Sequence, residues 1–374
     1  MPDDGPTWAL IAGGGTAGHT LPGIAVARAL VAAGHPAGSI HFVGSERGSE
    51  TRLVPEAGFT LTALPGRGIQ RRLTFANVGA VLGLVAAFGR ALSLVRRTRP
   101  SVVVALGGYA SVACSLAAVL HRIPIVVAEQ NAVPGAANRL VARFAKASAV
   151  SFPGTALPRA VVTGNPVRPE VLAVDRARDR APARAALGLP ADRVVVVAFG
   201  GSLGARRINQ AVTGLVERWA DRTDVAVRHV VGERDWEDES ARGEDRDGAS
   251  GILYAPVRYE DDMPTTFAAA DVVVARAGAT TVAELAVLGL PSVLVPLPIA
   301  TADHQTANAR HLVELGAARL VPDPELDVDR LEAELEPLVG DPEALALMAE
   351  GALALGRRDA ADRVAVLVEE HARA

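Results

Sequence analysis

The chain has 374 residues, enough for two domains, and 49% of them are hydrophobic, enough for a core in each. A net charge of −4 excludes a broad basic surface for nucleic acid, though a local basic patch is compatible with it. The single cysteine, Cys114 in Val112-Ala113-Cys114-Ser115-Leu116, excludes a disulfide framework or a cysteine-ligated metal and reads as a buried small hydrophobe of a cytosolic protein.

The N-terminal Met1-Pro2-Asp3-Asp4-Gly5 is acidic and lacks the basic-then-apolar pattern of a secretion signal. The first predicted strand, Trp8-Ala9-Leu10-Ile11-Ala12, runs into Gly13-Gly14-Gly15-Thr16-Ala17-Gly18-His19, and a helical pattern follows over residues 21–33, stopping at Gly34. A strand, a glycine turn and a helix N-terminus make an anion site, because free backbone N–H groups converge there and glycine lets a phosphate approach closely. The turn is a G-x-G-x-x-G, but a nicotinamide-dinucleotide site also wants an acid at the end of the second strand. That strand, Ile40-His41-Phe42-Val43, ends in Gly44-Ser45, and Glu46 comes late. An anionic acceptor fits the turn best; a bare packing turn is the plainer alternative. His19 reads either as a structural histidine or as a proton acceptor, since a helix N-terminus disfavours its protonated form.

Residues 73–89 carry no charge. Val78, Leu82, Val85 and Leu92 recur there at helical spacing, with Arg71, Arg72, Arg90, Arg96, Arg97 and Arg99 around them. The segment reads as a core helix or as a helix lying in a membrane interface; it is short and glycine-rich for a span. The strand Val102-Val103-Val104-Ala105-Leu106 then meets Gly107-Gly108-Tyr109. The strand at residues 123–127 carries Glu129-Gln130-Asn131 at its C-terminal end. These are continuous apolar runs, as expected of a parallel sheet covered on both faces, where ligands gather at the C-terminal strand ends. Val161-Val162-Thr163-Gly164-Asn165-Pro166-Val167-Arg168-Pro169 reads as an interdomain crossing, and residues 175–184 as charged and exposed.

The second half repeats the design. Val194-Val195-Val196-Val197-Ala198-Phe199 leads into Gly200-Gly201-Ser202-Leu203-Gly204-Ala205-Arg206-Arg207, where a serine hydroxyl joins the amide nest. Further strands are expected at residues 227–231, 251–255, 272–275 and 292–295, with a solvated insert at 233–248. Arg276-Ala277-Gly278-Ala279-Thr280-Thr281 holds the place that Gly107-Gly108-Tyr109 holds in the first half. Glu284, one turn into the next helix, is either a ribose ligand or a charge complementing the helix dipole. Asp327-Val328-Asp329 and Asp245-Arg246-Asp247 have metal-ligand spacing, but the first opens a helix, where acids cap, and the second lies in the insert. No G-x-S-x-G elbow is present. From Asp327 onward the chain reads as helical, ending in an amphipathic stretch at 358–373.

Taken in order, Gly13-Gly14-Gly15-Thr16-Ala17-Gly18-His19, Gly107-Gly108-Tyr109, Glu129-Gln130-Asn131, Gly164-Asn165-Pro166-Val167-Arg168, Gly200-Gly201-Ser202-Leu203-Gly204-Ala205-Arg206 and Arg276-Ala277-Gly278-Ala279-Thr280-Thr281-Val282-Ala283-Glu284 resemble the MurG family. That family is the bacterial N-acetylglucosaminyltransferase that completes lipid II. The resemblance implies an α/β GT-B glycosyltransferase with two Rossmann-like doubly wound domains facing a cleft. The expected division is residues 1–166 for the acceptor and membrane side, 167–357 for the UDP-sugar side, and 358–374 as a terminal helix packing back on the first domain.

The donor implied by the resemblance is UDP-N-acetylglucosamine, and the acceptor is lipid I (undecaprenyl-pyrophosphoryl-MurNAc-pentapeptide), whose muramoyl C4 hydroxyl attacks the donor's anomeric centre with inversion. His19 is assigned as the catalytic base. Ser202 and its neighbouring amides, with Arg168, hold the donor diphosphate. Ala279, Thr280, Thr281, Val282, Ala283 and Glu284 frame its ribose and phosphates. Gln305 contacts the sugar, the backbone at Glu260 faces uracil, and Asn131 reaches in from the first domain. Thr16, Ala17, Gly18 and Tyr109 shape the acceptor side. No cofactor or metal is expected, and the protein is placed peripherally on the anionic cytoplasmic face of the cell membrane. The chain departs from the family at Ala128, where histidine is common, after Tyr109, where a proline is usual, at His304, and at Glu260, where an apolar residue is common. Rival readings are another UDP-sugar transferase, a nicotinamide dehydrogenase and a non-catalytic sugar-nucleotide sensor.

Overall fold

The computed structural model describes residues 7–65, 76–201, 204–237 and 251–373. The chain divides into two compact units, one of Met1–Arg168 with Arg357–Ala374 and one of Pro169–Gly356.

The first unit alternates strand and helix: β1 (Ala9–Gly13), α1 (Ala17–Ala32), β2 (Ile40–Ser45), α2 (Glu50–Glu56), β3 (Thr60–Leu64), α3 (Ala76–Thr98), β4 (Val102–Gly107), α4 (Gly108–Leu120), β5 (Ile125–Glu129), α5 (Ala136–Val141), β6 (Ala147–Val150) and β7 (Ala160–Val162). Its seven strands pair in the order β3-β2-β1-β4-β5-β6-β7, all parallel. Alternation along the strands feeds two cores. Ala9, Ile11, Val102, Val104 and Val126 pack on one face with Val26, Leu30 and Val54. Leu10, Ala12, Val103, Ala105 and Val127 pack on the other with Ala91, Val95, Ala113 and Val141. The central strands β1 and β4 are therefore apolar throughout, which is what burial on both faces requires.

The C-terminal helix (Ala360–His371) belongs to this unit and lies on α1, with Val364 and Val368 in the first core. His35 stacks on Trp8 at 3.6 Å and bonds Glu369 at 2.9 Å, tying the helix to the end of α1.

The second unit carries α6 (Pro169–Leu172), α7 (Arg176–Ala186), β8 (Val194–Phe199), α8 (Arg206–Arg218), β9 (Val225–Val230), β10 (Leu253–Val257), α9 (Met263–Ala269), β11 (Val272–Ala275), α10 (Ala279–Leu288), β12 (Ser292–Leu294), α11 (His304–Glu314), β13 (Ala318–Leu320), α12 (Val328–Val339) and α13 (Pro342–Leu355). Six parallel strands run β10-β9-β8-β11-β12-β13. In both sheets the strand after the first glycine turn's neighbour (β4 beside β1, β11 beside β8) reverses the direction of strand order, so each glycine turn sits at a topological switch point.

Several elements differ from the sequence reading. Helix α1 begins at Ala17, so Ala17, Gly18 and His19 form its first turn rather than the loop before it. Strands β3, β6, β7 and β13 were not expected; they are short edge or near-edge strands with weak apolar patterning. Residues 175–184 are solvated on one face only. Asp175 caps α7, accepting from Ala177 N and Arg178 N, and Arg184 is 1% exposed. Arg176, Arg180 and Arg184 recur every four residues and turn one face inward, where Arg180 and Arg184 meet Asp271 and Arg176 donates to Ala270 O and Gly289 O. Among the described residues no helix is long and apolar enough to cross a membrane. The described part of α3 buries Ala87, Ala91, Leu94 and Val95 and exposes Val85. Arg71, Arg72, Asp245 and Asp247 lie outside the described residues.

Candidate active site

In the first unit the ends of β1, β4 and β5 bring three loops together. Thr16, extended at φ −141° and ψ 155°, is the residue before α1, and its carbonyl accepts from Thr20 N at 3.2 Å. The Ala17 and Gly18 amides precede that bond and sit on exposed residues at the positive end of the helix dipole. His19 follows in the same turn, half-buried, with Nδ1 3.5 Å from Thr16 Oγ1. Gly107, at φ +114°, is where β4 meets α4. A Cβ there would lie 3.1 Å from His19 Nε2 and 3.6 Å from Asn138 Nδ2. Only glycine allows the imidazole to lie against that backbone.

Glu129 organises the third loop. One carboxylate oxygen accepts from Asn131 N and Nδ2 at 2.9 and 3.2 Å, the other from Gly135 N and Asn138 Nδ2 at 3.0 and 2.9 Å. Asn131 is thus held by its neighbour at the strand end. Tyr109 donates its hydroxyl to Leu64 O at 2.7 Å, and burial raises its pKa above the ordinary phenol value. The hydroxyl anchors the end of β3. Arg168, half-buried, is the last residue of the unit before α6.

One carboxylate here escaped the sequence reading, which weighed Glu46. Glu46 is exposed and pairs loosely with Arg90 at 3.4 Å, whereas Glu50 is 2% exposed and accepts from Gly15 N. The signal was present as three glycines, Gly14, Gly44 and Gly48, whose backbones crowd the Glu50 side chain.

In the second unit β8 delivers Gly200 and Gly201, and Gly204 and Ala205 lead into α8; Ser202 lies outside the described residues. Gly204, at φ +76°, donates to Gly201 O at 2.8 Å, and a Cβ on it would collide with Val231 O. After β11, Gly278 is extended and α10 opens with Ala279, Thr280 and Thr281, whose amides precede the first helical bond from Val282 N to Gly278 O at 2.9 Å. The Thr280 hydroxyl is buried with no hydrogen-bond partner among the described residues. Val282 is fully buried, so its side chain packs in the core and only its backbone is left for a ligand; Ala283 is half-buried and Glu284 is 5% exposed.

Arg276 donates to Val295 O and Pro296 O at 3.1 Å each and pairs with Asp323, while Asn308 donates to Ala277 O at 3.2 Å. These contacts hold the turn before α10. Gln305 Oε1 accepts from Leu297 N at 2.9 Å, which ties α11 to the loop after β12. Glu260, polar where the resemblance leads one to expect an apolar residue, accepts from Arg228 Nη2 at 2.8 Å, Thr266 Oγ1 at 2.9 Å and Asp262 N at 3.2 Å. It braces the turn between β10 and α9.

Comparisons with known proteins follow the same division. Residues 9–150 match the glycosyltransferase family 28 N-terminal domain and residues 195–364 its C-terminal domain. A crystal structure of Acinetobacter baumannii MurG aligns with a TM-score of 0.77 at 28% identity, covering 98% of this chain and 100% of that one. A relative from Nocardioides sp. is 44% identical over 96% of this chain and 97% of its own length. One from Desulforudis audaxviator is 40% identical over 96% and 97%. Both are named UDP-N-acetylglucosamine--N-acetylmuramyl-(pentapeptide) pyrophosphoryl-undecaprenol N-acetylglucosamine transferase.

The chain belongs to the MurG family. Its two units are the paired α/β domains of the GT-B fold, and MurG relatives match it almost end to end. A Listeria monocytogenes protein described as a putative UDP-N-acetylglucosamine 2-epimerase aligns with a TM-score of 0.70 at 16% identity and shares the fold alone.

Proposed function

We propose that this chain transfers N-acetylglucosamine from UDP-N-acetylglucosamine to the C4 hydroxyl of the muramoyl sugar of lipid I, with inversion, giving lipid II. The substrates rest on MurG relatives alike over nearly their whole length. The observation in this chain that carries the chemistry is the placement of His19. Its imidazole sits in the first turn of α1 against Gly107, placed to take a proton from an acceptor hydroxyl.

In a single displacement the acceptor oxygen attacks the anomeric carbon while His19 takes its proton. The bond to the departing UDP breaks as the new one forms, and the leaving diphosphate carries away the electron pair. Amides at the N-terminus of α10, the Gly200–Gly204 turn with Ser202, and Arg168 are assigned to that developing charge. Glu284 is assigned to the ribose hydroxyls, Gln305 to the donor sugar, the Glu260 backbone to the base, and Asn131 to the donor from the first unit. The Thr16-Ala17-Gly18 turn takes the acceptor's diphosphate, beside Tyr109. The test is UDP release from UDP-N-acetylglucosamine with and without a soluble lipid I analogue. Acceptor-dependent release is expected, and release independent of the analogue overturns the reading.

The same reading places the protein peripherally on the anionic cytoplasmic face of the membrane, where the acceptor's lipid resides. Its support is a mixed face of the first unit. Leu116 and Leu120 on α4, and Leu140 and Phe144 at α5, are exposed beside exposed Arg139, Arg143 and Lys146. Apolar side chains entering an interface among basic ones are what anionic headgroups attract.

A further inference from the structure

The first glycine turn is closed by a carboxylate from outside it. Glu50, in the first turn of α2, is 2% exposed, and its two oxygens accept from Gly15 N at 3.1 and 3.0 Å. One of them also accepts from Ser45 N at 2.5 Å, at the end of β2. The space is shaped for this group: a Cβ on Gly14, Gly44 or Gly48 would collide with the Glu50 side chain. A second tie lies alongside. The Ser49 and Thr20 hydroxyls are 3.2 Å apart, and Thr20 donates to Thr16 O at 3.1 Å.

We propose that Glu50 is a positioning residue for acceptor recognition, clamping the Gly13–Thr16 turn so that the Ala17 and Gly18 amides and His19 are pre-arranged for a pyrophosphoryl-sugar acceptor. The inference rests on the function proposed above. Its physical content is a division of labour among amides. Gly15 N is satisfied internally, so the turn cannot collapse around an arbitrary anion. The open amides are those of the helix end, one and two residues before His19. The Glu50 charge also repels an anion that enters the mouth of the turn, steering the acceptor's phosphates to the helix end.

Both of Glu50's backbone partners are donors, so an amide in its place presents an NH2 group to one of them. Glu50→Gln in the full chain is expected to speed hydrogen exchange of residues 13–20 by roughly tenfold, with exchange elsewhere unchanged. It is expected to raise KM for a soluble lipid I analogue by roughly tenfold and lower kcat, with KM for UDP-N-acetylglucosamine within about twofold of wild type. Glu50→Asp keeps the charge on a shorter stem and recovers part of both effects; it carries the test if the glutamine variant does not fold. A rise in both KM values together, or exchange at residues 13–20 no faster than wild type, overturns the proposal. If the wild type fails to use the analogue, the functional reading falls, and the exchange measurement alone decides the role of Glu50.

Discussion

Nε2 of His229 donates to Oδ1 of Asn209 across 3.1 Å, and that single contact fixes the histidine's tautomer. Asn209 has no other option, because its amide nitrogen is committed to Val231 O and Asp235 Oδ2, each at 3.0 Å. Nδ1 of His229 is then left to accept from the Tyr254 hydroxyl at 2.8 Å. The network links β9, β10 and α8, and Asp235 carries it on to Arg206, the first residue of α8 beyond the Gly200–Ala205 turn. The start of α8 is thus backed by a chain of hydrogen bonds, buried as far as Asp235, that works only with a neutral imidazole.

Acidification should strain that arrangement. His229 is fully buried, and desolvation pushes its pKa down to about 3. The unfolded chain binds a proton there near pH 6.5 and the folded chain does not, so this contribution to stability is full above about pH 6.5 and falls as pH drops towards 3. The loss at pH 5 is about 2 kcal/mol. Thermal melts of wild type and His229→Gln between pH 7.5 and 4.5 check this. The variant should be less stable at neutral pH and show a flatter decline with acid; parallel curves would remove His229 from the account.

His19 and Gly107 should fail together. Replacing His19 with Ala removes the proposed base and should lower turnover by roughly 100-fold or more, with UDP-N-acetylglucosamine binding unchanged in calorimetry. Gly107→Ala should reproduce much of that loss without touching the histidine, because the methyl group enters the space of the imidazole and the backbone sits at φ +114°. A doubly substituted enzyme should be little worse than His19→Ala alone. Independent, multiplying losses would show that Gly107 acts by some route other than the ring.

Arg184 tests the support under β8. Its guanidinium donates to Ala269 O at 3.1 Å and Arg193 O at 2.9 Å and pairs with Asp271, which also accepts from Val195 N at 2.7 Å. Arg184→Ala leaves a half-buried carboxylate with only Arg180 and Val195 N on it, and several carbonyls short of a partner. The expected loss is about 3–5 kcal/mol in urea denaturation. A loss under about 1 kcal/mol would mean that Arg180 alone satisfies Asp271.

Where that segment turns one face inward, local sequence signals stop. The central strands of both sheets, the glycine turns and the correspondence of the turn after β11 to the turn after β4 were legible, because apolar runs and glycines are local signals with one physical meaning. The arginines of α7 were not, because a charge every four residues describes a solvated helix as well as one whose buried face meets a distant Asp271. Glu50 was missed for the same reason: its partners, Gly15 and Ser45, are set by the packing of α2 against the β1 and β2 ends. Glu260 could be singled out by resemblance alone, but its pairing with Arg228 and Thr266 needed coordinates.

Membrane attachment is open to a direct charge test. Leu116 and Leu120 lie one helical turn apart on α4, 40% and 63% exposed, and Phe144 beyond α5 is 51% exposed. Burying the half of such side chains that is still exposed is worth roughly 1 kcal/mol each, and each nearby basic residue adds about 1 kcal/mol on an anionic surface. Leu120→Glu with Phe144→Glu should therefore abolish flotation with anionic liposomes, while Arg139→Glu with Arg143→Glu should weaken it in a salt-dependent way. Neither pair should alter transfer to a water-soluble acceptor analogue, since the substituted side chains are exposed and lie outside the turns assigned to the reaction. Flotation equal to wild type in both variants would move the attachment surface away from α4 and α5.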